Sequence, residues 1–183
     1  MRYLLITLSL LLCALPASAA PPQLLGGFQA FIAVESATGS LTEGLGVYSN
    51  HPDEVFVQGC GFGLEADYDQ ATGNPTGRPV PEPFRIVKRL DHLTPLMLTQ
   101  MVNNAQLEVA CRLYASDIAN RDQLVFTLEL ADARLVSISG RAERLSGAVL
   151  EPYEDLKLVY RTLTVTDELT GSSSQISWTQ SGD

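Results

Sequence analysis

Apolar and polar residues alternate along most of this chain with a period of two, and that period predicts strand after strand. Residues 28–35 place Phe28, Ala30, Ile32 and Val34 on one face. Residues 54–67 put Phe56, Cys60, Phe62 and Leu64 on one face and three glycines on the other. Alternation returns at 84–90, then at Leu107, Val109, Cys111 and Leu113, at Leu124, Phe126, Leu128 and Leu130, and at 135–140. Residues 156–166 make a long strand whose apolar face changes phase near Leu158 and Val159, as a bulge produces. Residues 175–180, with Ile176 and Trp178, complete the set. Two stretches are too rich in turn formers to fit this pattern. Residues 37–53 carry Gly39, Gly44, Gly46, Asn50 and Pro52 and predict a loop with at most a short strand at 46–48, while residues 69–83 predict a second loop.

One helix interrupts the strands. It starts after Asp91, with Thr94 as its N-cap and Pro95 at its first position, and ends near Asn103 or Asn104. The predicted fold class is therefore all-β dominated: a closed or nearly closed antiparallel β-barrel of about eight strands with one short α-helix.

The first nineteen residues stand apart from this pattern. Met1, Arg2 and Tyr3 make a short basic start, residues 4–15 are almost wholly apolar, and Ala17, Ser18 and Ala19 form a small-residue cleavage site. This is the layout of a secretory signal peptide, cut between Ala19 and Ala20, and its apolar run is too short for a retained membrane anchor. Residues 20–183 then form a single domain, which is exported to the periplasm or the exterior. Of the three cysteines, Cys13 leaves with the signal, so Cys60 and Cys111 enter a compartment where disulfides persist. Both lie on apolar strand faces, which leaves two readings: a bridge between them, or two buried thiols acting as small hydrophobes.

Charge removes one class of partner. Twelve basic residues against twenty-one acidic ones give a net charge of −9, so the general attraction to a phosphate backbone is missing and nucleic acid is not an expected partner. An apolar content of 45% argues for a buried core and against disorder.

Candidate chemistry is sparse. His51 and His92 lack neighbouring ligands at metal-binding spacing and read as two solvated loop residues. Gly59, Gly61 and Gly63 resemble a phosphate loop but fall within a strand instead of opening a helix. Asp67 and Asp69 begin like a calcium loop, yet Thr72 and Arg78 stand where the loop needs glycine and an acid. Glu154 and Asp155 point to opposite sides of a strand and read as solvent-exposed charges. No catalytic residue, cofactor or metal is expected, and the chain is not read as an enzyme.

Three segments carry a family resemblance. Residues 83–96, with Phe84, Lys88 and Asp91 leading into Thr94 and Pro95, resemble the strand-to-helix passage of the Hcp family, the tube protein of type VI secretion. Residues 126–138 are similar to that family's strand pair, and residues 153–163, with Tyr160, followed by Thr170, Gly171 and Trp178, form a third match. What the resemblance implies is a small barrel flanked by a helix, six copies of which form a ring. Rings stack into a tube whose hole carries effector proteins, and the loop at 37–53 becomes the candidate for ring-to-ring contact. No catalytic residue or cofactor is implied. Members of the family typically lack a signal peptide, so the N-terminus is a departure. A second reading keeps the barrel alone, as an exported, disulfide-stabilised module that binds a protein partner or cell-envelope component.

Overall fold

The computed structural model describes residues 27–116, 122–144 and 150–178, so the signal segment and its cleavage site at Ala19 and Ala20 lie outside the described residues. Within them the chain forms β1 (Phe28–Ser36), β2 (Gly39–Ser40), β3 (Val55–Val57), β4 (Gly59–Gly61), β5 (Leu64–Tyr68), β6 (Pro75–Pro81) and β7 (Phe84–Arg89). Helix α1 (Leu93–Val102) follows, then β8 (Leu107–Ser116), β9 (Asp122–Arg144), β10 (Leu150–Val159), β11 (Thr162–Asp167) and β12 (Ser172–Ser177). No helix among the described residues is long and apolar enough to cross a membrane.

All pairings are antiparallel, and the main sheet runs in a circuit. The order β1, β8, β9, β10, β7 is continuous. It closes because one segment, residues 55–61, serves both ends: Val55–Val57 pair with β1, and Gly59–Gly61 pair with β7. Between them, the Gln58 N–H donates to the Val87 carbonyl. The predicted barrel with one short helix is thus observed. β9 spans 23 residues and holds the two halves together, pairing with β8 and β11 along its first part and with β10 along its second.

The alternation sets the core. Ile32 and Val34 of β1, Val109 and Cys111 of β8, and Leu156 and Leu158 of β10 all point inward and are buried. Each of the aliphatic side chains among them contributes on the order of 2 kcal/mol by leaving water. Leu93 and Met97, one helical turn apart, bring α1 onto the same cluster. The helix ends at Val102, and Asn104 follows in a left-handed conformation (φ 49°) that asparagine tolerates better than most residues. The bulge expected near Leu158 lies between Lys157 and Leu158.

Several expectations are corrected. Residues 54–67 form three strands, because the backbone irregularity at Gln58 separates two faces: Val55 and Val57 point inward, while Phe56 packs outward on Phe31. Phe28 is exposed and does not join the core. The loop at 69–83 contains β6, which pairs with β5 in a hairpin that stands off the core; Gly73 and Gly77 supply its positive φ values. The strand at 156–166 breaks at Tyr160 and Arg161 into β10 and β11.

Candidate functional site

The buried polar group nearest the helix is built around Lys88. Alternation puts Phe84, Ile86 and Lys88 on the inward face of β7, so a charged side chain reaches the interior and is wholly buried. Its Nζ lies 2.9 Å from Glu154 Oε1, also wholly buried on β10, and 2.5 Å from Asp91 Oδ1. It also donates to the Arg89 carbonyl at 2.9 Å. Asp91 Oδ1 accepts the Leu93 N–H at 2.8 Å, and the Thr94 hydroxyl donates to Glu154 Oε1 at 3.0 Å while accepting the Asp91 N–H at 3.1 Å.

This network revises two readings. Thr94 is not the N-cap, since His92 precedes the helix and the Asp91 carboxylate takes the free N–H of Leu93; Pro95 still sits in the first turn, where its missing donor is harmless. Glu154 is not a solvent-exposed charge, because the phase of β10 that buries Leu156 and Leu158 buries it too. Asp155, on the other face, receives the Arg85 guanidinium, and that hydrogen bond holds its carboxyl below the usual carboxylate range.

A second polar group sits outside the barrel. Residues 46–52 fold back toward β1, tied by the Gly46 N–H to the Pro52 carbonyl, and a Cβ at Gly46 would lie 1.9 Å from the His51 carbonyl oxygen. This places the His51 ring flat on Phe31, with centroids 4.1 Å apart. His51 is therefore buried, contrary to its reading as a solvated loop residue; His92 is exposed as expected. The His51 Nδ1 is 2.8 Å from Glu54 Oε2, which also accepts the Tyr114 hydroxyl at 3.2 Å, while Arg112 pairs with the other oxygen. On the far side of the ring Nε2 stands 3.5 Å from Asp122. Glu54, Arg112, Tyr114 and Asp122 could not have been grouped from sequence, being scattered over nearly seventy residues with no motif among them.

The arrangement anchors the loop on β1. Its imidazole faces carboxylates on both sides, and no group of three metal-binding side chains occurs among the described residues. Burial, then the Glu54 charge, pushes the Tyr114 phenol up to about 12, so the hydroxyl remains a donor at any ordinary pH. The unfolded chain would ionise near pH 10. The folded pKa is raised, so this contribution to stability is complete below pH 10 and is lost as the pH climbs toward 12. Denaturant midpoints measured at pH 9, 10.5 and 12 should fall less steeply for Tyr114→Phe than for the wild type. Equal slopes would show that Tyr114 does not govern alkaline unfolding.

The other residues marked in the sequence lie within the barrel and its turns. Cys60 of β4 and Cys111 of β8 form a disulfide across the barrel. Phe84 is fully buried, and Tyr160 meets Trp178 edge-on at 5.5 Å. Gly59 and Gly61 belong to a strand, and Asp69 closes the β5–β6 turn by accepting the Ala71 N–H.

Comparison with known proteins adds the following. The family profile described as "Type VI secretion system effector, Hcp" matches residues 31–166. The "Major exported protein" of Pseudomonas aeruginosa is 30% identical over 132 residues, which cover 70% of this chain and 77% of that protein. A crystal structure of an Hcp protein superposes with a TM-score of 0.76 at 22% identity, over 82% of this chain and 99% of that one. The secreted protein Hcp3 from Pseudomonas aeruginosa gives 0.67 at 24% identity, over 84% of this chain and all of the other.

Proposed function

The chain belongs to the Hcp family of the type VI secretion system, and from that premise we propose that it is a structural subunit whose copies close into hexameric rings. The rings stack, and their hole carries effector proteins. The observation that carries this reading is the extent of the family match, which runs from β1 to β11 and so takes in the whole closed circuit of strands. The subunit is not an enzyme, and it works without a cofactor. Its signal peptide, residues 1–19, exports it, and the name of its Pseudomonas relative and the Cys60–Cys111 bridge both favour a secreted protein.

The test is negative-stain electron microscopy with mass determination on protein recovered from an oxidising compartment. Six-membered rings at micromolar concentration are the expected result. A monomer at every concentration would overturn the ring reading and select the second one, in which the bridged barrel binds a protein partner or envelope component alone. The disulfide is the observation that favours that alternative.

A further inference from the structure

The two outer sheet faces of the barrel carry opposite charge. On the β1–β8–β9 side, Glu35 of β1 stands directly opposite Glu108 of β8, and Glu129 of β9 lies opposite Ala110 of that same strand. Like charges paired across a sheet destabilise it, so this row works against the isolated fold. The arginine on this face, Arg112, is already bound to Glu54. Small and neutral side chains, among them Ala33, Ala110 and Thr164, floor a shallow depression of about 400 Å³ between the acids.

The β7–β10–β9 side reverses the sign. Arg85 stands opposite Lys157, and Arg89, Tyr153 and Arg141 form one row across three strands, with the Arg141 guanidinium 4.7 Å over the Tyr153 ring. Four of the chain's twelve basic residues thus share one sheet face of a protein whose net charge is −9. Asp155 on this face already holds the Arg85 guanidinium, Glu82 borders the face at one edge, and two positions beyond the Tyr153–Arg141 pair the register sets Glu151 opposite Glu143, so the positive charge centres on Arg89, Arg141 and Lys157. Gly59 and Gly61 leave its far side open, with nothing near the position of a missing Cβ.

Both sheets turn their apolar faces to the shared core, so the two charged faces look away from each other. One molecule cannot pair them, and two copies related by a two-fold axis would set like against like. We propose that the acidic face of one copy, around Glu35, Glu108 and Glu129, docks on the basic face of the next, around Arg89, Arg141 and Lys157. A head-to-tail contact of this kind is heterologous, and repetition closes it into a ring. The inference rests on the ring reading above and names the surfaces that make it.

Two proteins test it: Glu35→Lys with Glu129→Lys, which makes both faces basic, and Arg141→Glu with Lys157→Glu, which makes both acidic. Circular dichroism and the intact disulfide establish that each is folded. Each alone should sediment as a monomer where the wild type forms rings, with association weakened at least tenfold. Mixed in equal amounts, they should recover rings of alternating subunits, which close only at an even number. Rings formed by either protein alone, or no rings on mixing two folded proteins, would overturn the docking surfaces while leaving the ring reading intact. A wild type that stays monomeric overturns both. Should a variant misfold, salt gives the answer on the wild type: its association weakens from 50 to 500 mM salt if opposite charges are paired, and a salt-independent ring refutes the pairing.

Discussion

Lys88→Met is expected to cost about 3–5 kcal/mol, the usual size when one partner of a buried ion pair is removed. The substitution leaves Glu154 wholly buried with its cation gone, and it takes a donor from Asp91, which holds the first turn of α1. The cost comes less from lost attraction than from the carboxylate left without compensation in a medium that solvates it poorly. Urea unfolding of Lys88→Met and of Lys88→Met with Glu154→Leu separates the two contributions. The double variant removes both charges and should recover most of the loss, because a buried pair is often worth little more than an apolar replacement of similar volume. If the double variant is as unstable as the single one, the network acts through the helix start, by way of Asp91 and Thr94, and the uncompensated charge is not the dominant cost.

That network was within reach of the sequence, and so was most of the barrel. Where one face is buried and the other wet, alternation alone marks it: Leu107, Val109 and Cys111 alternate with polar or small neighbours in the sequence and lie inward on β8. The same rule applied without exception would have put Lys88 and Glu154 inside. Phe84 and Ile86 set the phase of β7, Leu156 and Leu158 set that of β10, and the two charges fall in those phases with opposite sign. The residues that misled obey a different constraint. At Gln58 a single position shifts the pleat, so Phe56 leaves the face of Cys60, and no local signal marks the shift. The β5–β6 hairpin buries no apolar face and so has no alternation to betray it. His51 is buried by a loop closing over Phe31, a contact made across about twenty residues that composition described only as glycine-rich. The two charged faces were legible only once register was known, since Glu35, Glu108 and Glu129 become a row through strand pairing alone.

Removing the disulfide is the second large effect, and its consequence reaches the assembly. Cys60 and Cys111 are separated by 51 positions, and cross-linking a loop of that length stabilises by about 4 kcal/mol on the chain-entropy account. Its position adds to this. The circuit of strands closes through residues 55–61, whose pairings with β1 and β7 are only three residues long on each side. Short ladders of this kind are the first to open, and the bridge ties that closing segment to Cys111, buried in the middle of β8. Cys60→Ala with Cys111→Ala, or the wild type in reductant, should therefore lose about 3–4 kcal/mol to urea and exchange the amides of β3 and β4 ahead of the rest of the barrel. Hydrogen exchange followed by mass spectrometry reads the second effect directly. Protection in 55–61 that is unchanged without the bridge would show that the ladders suffice for closure. If the segment opens as expected, the edge of β7 beside Arg85 is uncovered, and the basic face loses the strand that flanks it. Reduction should then weaken ring formation as well as stability, a drop in ring mass that sedimentation of the reduced wild type would read.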